Sequence, residues 1–181
     1  KADNPIRPET STAFELGLKG SAAGGALRYD VSVFLSDFTD FQAQGAVPIA
    51  TGGVEFSLNN VGKLRTKGAE VNVNWAVTEA FSLDFSGAYI DAKVLSFPFA
   101  QCYAGQTAAQ GCVLTDVDGN GSLESSVQDL SGSRLANSPK FKFNVGAYWE
   151  DNLGGLPFNT FVQGNYQWQD DINYDLFGNP S

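Results

Sequence analysis

Hard cations are held by oxygen donors on alternate residues, and the stretch DVDGNGSLESSV (116–127) supplies such a series. Asp116, Asp118 and Asn120 take the first, third and fifth places of an EF-hand-type loop. Gly121 follows where the sharp turn falls, and the Ser122 carbonyl comes next. Val127 stands where the bidentate Glu belongs, which leaves Glu124 or Asp129 to substitute. Two readings stand side by side. Either Asp116, Asp118, Asn120, Ser122 and Glu124 hold Ca2+, the one cofactor the sequence suggests, or this is an Asp/Asn/Gly turn that solvates a loop.

Cys102 and Cys112 lie just before this stretch. A disulfide stapling the loop is the expected state, which implies an oxidising compartment; two free thiols are the alternative. The chain contains no His, which excludes a Ser-His-Asp triad and a Cys/His metal site. Glu15, Glu70 and Asp84 are spaced as strand residues, with nothing that pairs them into an acid/base dyad. Beside Lys19, Arg28 and Lys142 they read as a lattice of cross-strand charge pairs. No catalytic residue emerges, and the chain is not expected to be an enzyme.

The elements that must carry these residues are strands. In KGAEVNVNWAV the residues Ala69, Val71, Val73, Trp75 and Val77 alternate with Glu70, Asn72 and Asn74, one greasy face and one wet face. Similar alternation runs through 12–20, 27–38, 81–94, 140–150 and 158–169, in the last-but-one with Phe143 and Val145 set against Asn144. High Gly and Phe and absent Met fit a β composition, and no apolar run reaches the roughly 18 residues of a spanning helix. The alternating runs are about 9–13 residues long, against about 5–6 for an ordinary strand and about 9–11 for one that crosses a bilayer. Connections alternate strictly between short (SAAGGA, TEA, DNLGGLP) and long (about 39–63 and 95–139). That is the habit of a transmembrane barrel, with short turns at one end and long extracellular loops at the other. A net charge of −9 argues against a nucleic-acid partner. The chain opens on KADNPIRPETS and closes on the turn-like LFGNPS, so it reads as a piece of something longer.

Five segments in register then resemble the barrel of TonB-dependent outer-membrane receptors. These are Pro8 to Ser11 with Glu15-Leu16-Gly17-Leu18-Lys19; Phe34 to Phe41; Asn60 with Lys67-Gly68-Ala69-Glu70; Ala88-Tyr89 to Ala92; and LSGSRLANSPKFKFNVGAYW at 130–149. The resemblance covers most of the chain outside 42–58 and 95–129. It implies an all-β, antiparallel up-and-down transmembrane barrel of about 22 strands, of which residues 1–181 would form about six. Six strands cannot close a barrel, since about eight is the minimum, and the family's plug and closing strand have no counterpart here.

The resemblance further implies the outer membrane of a Gram-negative bacterium and contact with lipid and lipopolysaccharide. It implies a TonB-type energy-transducing partner reached through an N-terminal region, and import of a scarce small-molecule ligand: ferric siderophore, cobalamin, another metal chelate or a glycan. Val71, Val73, Trp75, Phe143 and Val145 are then expected to face lipid, and Glu70, Asn72, Asn74 and Asn144 the lumen. Phe41, Gln42, Gln44, Phe56 and Tyr103 are expected as ligand contacts from their place in the long loops. Lys63, Arg65 and Lys67 suit lipopolysaccharide phosphates, an anionic ligand or a solvated strand end. The competing readings are a calcium-stiffened adhesion β-sandwich and a passive porin-like channel.

Overall fold

The computed structural model describes residues 6–48, 54–116, 121, 123, 125–155 and 157–177. Its elements in chain order are β1 (Thr10–Ala22), β2 (Leu27–Pro48), β3 (Val54–Ala76), β4 (Phe81–Ser96), β5 (Ala100–Gln101), β6 (Val113–Thr115), β7 (Ser125–Gln128), β8 (Phe141–Asp151) and β9 (Thr160–Gln169). The six long strands form one antiparallel meander, β1-β2-β3-β4-β8-β9. The three short ones extend the sheet from the far end of β2, through a single Gly45–Ala100 pairing. Turns at one end are tight: β1 passes to β2 through Ala23–Gly25, where Gly24 takes a left-handed φ of 68°.

The alternation seen in each strand adds up across the sheet because the ladders are in register. One row reads Lys19, Asp30, Asn72, Ser86, Asn144, Gln167; the next reads Leu18, Val31, Val71, Gly87, Phe143, Trp168. Val73, Trp75 and Val145 stand in further rows of the apolar face, and Glu70 and Asn74 in rows of the polar face. Among the described residues no second layer covers the apolar face. Leu16 is 75% exposed and Val162 62%, and stacked rings such as Phe143 on Trp168 (5.6 Å between centroids) lie open on it. A soluble sandwich would bury this face against a second sheet.

The strands run further than their alternation suggests. Residues 39–48 and 54–63, expected to be loop, are the upper halves of β2 and β3 and pair with each other from Pro48–Val54 downward. At about 3.3 Å per residue, β2 with its 22 residues is roughly 70 Å long, more than twice the hydrocarbon core of a bilayer. The expectation stopped at Phe38 because the ladder slips there. Asp40, at a left-handed φ of 56°, has no partner on β3, and Val61 has none on β2. Each strand gains one residue, so the register is restored while odd and even positions exchange sides.

The buried core sits at this upper end, on the polar side of the sheet. Segment 95–139 folds back over the ladder, and Phe97, Ala100 and Leu130 pack with Ala43, Leu64 and Val94. Phe38 and Phe41 join them from opposite sides of the slip.

Candidate functional site

The polar face forms a shallow groove lined by Glu70, Asn72, Ser86, Lys142, Asn144 and Gln167. Lys19 forms a 2.9 Å ion pair on the same face with Asp30, which is not one of the carboxylates (Glu15, Glu70, Asp84) expected in a charge lattice there. The groove is a wall of hydrogen-bonding groups with no nucleophile set against a base.

Gly68 explains how one large ring fits among these polar rows. A Cβ built there would lie 2.8 Å from the Phe34 ring and in collision with the Tyr89 carbonyl oxygen. Phe34 therefore covers bare backbone on the polar face. We expect Gly68→Ala to cost about 1–3 kcal/mol, the usual penalty of overpacking, because a backbone carbonyl cannot rotate aside as a flexible side chain can. Denaturant unfolding of the full-length polypeptide measures this; unchanged stability would show that the ladder is slack at Gly68.

At the slip, Arg7 holds three segments together. Its guanidinium pairs with Asp40 at 2.6 Å. Its backbone N–H donates to Asn60 Oδ1 (2.7 Å), while Asn60 Nδ2 donates to the carbonyls of Arg7 (2.8 Å) and Asp40 (2.7 Å). One Asn side chain thus does the work of a missing ladder pair. Sequence reasoning noted Asn60 only as a piece of a motif and gave Arg7 no role; the unpaired backbone they satisfy appears only with the slip.

Among the described residues the expected ligand contacts do not form one cluster. Phe41 is packed against the core, because the slip turns it inward. Gln42 is engaged by the N-terminal segment: its Nε2 donates to the Arg7 carbonyl (3.0 Å) and its N–H to Glu9 Oε2 (3.3 Å). Phe56 lies higher on β3, opposite Ala46. Tyr103 is on the folded-back segment, with its N–H donating to Gln106 Oε1 (3.0 Å). The side chain of Gln44 lies outside the described residues.

Cys102 and Cys112 are joined, with Cα atoms 5.8 Å apart. The bridge closes a turn whose Thr107 and Gln110 cap one another. Reduction, or Cys102→Ser, is expected to cost about 2–3 kcal/mol by the chain-entropy estimate and to speed proteolysis between the two positions. Equal cleavage rates with and without reductant would show that packing alone holds the turn. Of the calcium-type series, Asp116 accepts the Gly121 N–H (2.8 Å), a turn-closing bond. Asp118, Asn120, Ser122 and Glu124 lie outside the described residues.

The other notable array is on the apolar side, above its last greasy row. Lys63, Arg65 and Lys67 alternate along β3, and Arg65 stands beside Lys93 of β4. Asp37 takes Arg65 in two bonds (2.6 and 2.8 Å), and Asp91 is shared between Lys67 (3.8 Å) and Lys93 (3.5 Å).

Residues 2–181 match the family model described as TonB dependent receptor-like, beta-barrel. No curated protein sequence matches the chain. Among solved structures, the ferric yersiniabactin uptake receptor FyuA from Yersinia pestis superposes with a TM-score of 0.59 at 15% identity, over 94% of this chain and 20% of the receptor. The copper transporter OprC gives 0.49 at 18% identity, over 82% of this chain and 17% of its own. The chain therefore spans about a fifth of the length of these structures.

Proposed function

The chain belongs to the TonB-dependent receptor β-barrel family, and from that premise we propose that it is a stretch of barrel wall in an energised outer-membrane importer. One observation carries the reading: below the slip the sheet has one apolar face that no second layer covers among the described residues, and one polar face. In a barrel the first meets lipid at Val71, Val73, Trp75, Phe143 and Val145. The second meets water at Glu70, Asn72, Asn74 and Asn144. The tight turns then face the periplasm, and the long β2–β3 hairpin and segment 95–139 face outward.

The wall itself performs no chemistry. It provides a rigid, wet inner surface, and the folded-back segment narrows the mouth above it. Its cargo class is a scarce ligand: ferric siderophore, cobalamin, another metal chelate or a glycan. A TonB-type protein supplies the energy through another part of the polypeptide. Ca2+ at Asp116 to Glu124 would brace the outer segment and is not needed for transport.

The test is accumulation of labelled cobalamin, a ferric siderophore set and glycans by cells expressing the full-length polypeptide, with and without a protonophore. Uptake of one probe that collapses with the proton gradient supports the reading. Uptake indifferent to the gradient would point to a passive channel.

A further inference from the structure

The chain leaves the top of β9 at Asp170, whose N–H still donates to the Phe141 carbonyl (2.9 Å). Residues 171–177 then run without a strand partner, and Leu176 and Phe177 pack against the upper core of Ala43, Leu64 and Val94. That core lies on the polar side of the sheet, on β2, β3 and β4. The route from β9 toward β3 crosses three ladder spacings, roughly 14 Å, which about seven extended residues span with slack to spare. Residues 170–177 therefore cross the sheet on its polar side, above the wet rows.

The folded-back segment forms their seat and holds them at three places. Asn137, at a left-handed φ of 54°, donates its N–H to the Asn173 carbonyl (2.8 Å). Arg134 donates to the Asp171 carbonyl (3.2 Å) and carboxylate (3.4 Å). These distances are long and the Asp171 side chain is exposed, so the ion pair is weak and screened by salt. Gln128, 6% exposed, donates from Nε2 to the Phe177 carbonyl (3.1 Å). In all three the seat donates and the crossing segment accepts. The seat also has bonds of its own. Gln128 Nε2 donates to the Gln101 carbonyl (2.7 Å), its Oε1 accepts from Gln106 Nε2 (3.0 Å), and the Leu135 N–H donates to the Ala92 carbonyl (3.0 Å).

Asp175 opposes this attachment. Its Oδ1 is buried and meets no hydrogen-bond donor among the described residues. A carboxylate oxygen taken from water without a partner destabilises the docked state, and undocking returns it to water. We infer that residues 170–177 form a releasable strap, docked on the folded-back segment by Asn137, Arg134 and Gln128 and held close to release by Asp175. The seat keeps its own bonds when the strap leaves, so the two separate without unfolding the upper core. The consequence rests on the barrel-wall reading above: in a barrel, release widens the mouth over the polar face.

The Asn137 N–H reports the strap, because its acceptor belongs to the strap; the Leu135 N–H, bonded within the seat, is the internal reference. The experiment measures amide exchange at both positions by fragment-ion mass spectrometry, in the full-length polypeptide added to phosphatidylcholine vesicles, with rates corrected for local sequence. Asp175→Ala is expected to slow exchange at Asn137 by about tenfold, because the docked state no longer holds an unpartnered oxygen. Asp171→Asn removes a carboxylate of the opposite role and is expected to speed it about twofold to fivefold. Leu135 keeps its rate in both variants. Exchange at Asn137 that is unchanged or faster in Asp175→Ala overturns the proposal. So does Leu135 moving in step with Asn137, which would make strap and seat one body. If Asp175→Ala does not fold, the unmodified protein decides: faster exchange at Asn137 than at Leu135 supports a separate release, and equal rates overturn it. A polypeptide that stays out of the vesicles yet shows the opposed shifts keeps the strap and rejects the wall reading. One that inserts without them rejects the strap alone.

Discussion

Val73→Arg in the full-length receptor is expected to destabilise the folded barrel by about 2–4 kcal/mol, the cost of a cation near the bilayer midplane. Val73 sits between Tyr29 and Phe85 in an all-apolar part of the ladder, with no carboxylate in its row to pair with the guanidinium. Its neighbour Asn72 provides the contrast. Asn72→Leu places an apolar side chain in a groove already lined by Ser86 and Asn144, and should change stability by no more than about 0.5 kcal/mol. Reversible unfolding in lipid measures both. The pair separates a barrel from a water-soluble sheet, because in the latter Asn72→Leu adds greasy surface to the solvated side and promotes aggregation. Loss of stability in both variants would reject the assignment of the two faces.

The second large effect is expected at Phe97. This ring is 1% exposed at the centre of the upper core. Its backbone is fixed as well: the N–H donates to Ser131 Oγ (3.0 Å) and the carbonyl accepts from Leu130 N–H (3.0 Å). Phe97→Ala should cost the folded-back segment about 3–5 kcal/mol, the range for removing a buried aromatic ring. The loss should be local. Residues 97–130 would exchange amide hydrogens and be cleaved faster, while the rows from Leu27 to Leu35 keep their protection. Hydrogen exchange resolved along the chain tests this. Faster exchange in β1 to β4 below the slip would mean that the upper core also holds the wall together.

These predictions fall on opposite sides of what the sequence discloses. The wall was legible because a strand's period of two writes both faces directly: Val71, Val73 and Trp75 against Asn72 and Asn74. The sheet then aligns these rows with those of Phe143, Val145 and Asn144. The upper half was not legible for the converse reason. From Gln42 to Ala46 the residues are small or polar, so periodicity carries no signal, and the extra residues at Asp40 and Val61 invert what signal there is. Phe41 thus reads as a loop aromatic free for a ligand, when the inversion commits it to the core. The disulfide was inferable from residue type and setting. The basic run Lys63, Arg65, Lys67 was visible as a motif, but its partner Lys93 and its place above the greasy rows required the register.

The slip at Asp40 and Val61 also bears on how such a chain can change over time. In an unbroken ladder, an insertion of one residue throws every later side chain onto the wrong face, so length changes in the outer hairpin would propagate into the wall. Here a pre-existing half-step, fastened by Arg7 and Asn60, already separates the two halves. The outer hairpin can lengthen, shorten or alter its sequence while the rows below keep their phase. The slip works as an expansion joint between the lower rows and an upper hairpin that runs in the opposite phase.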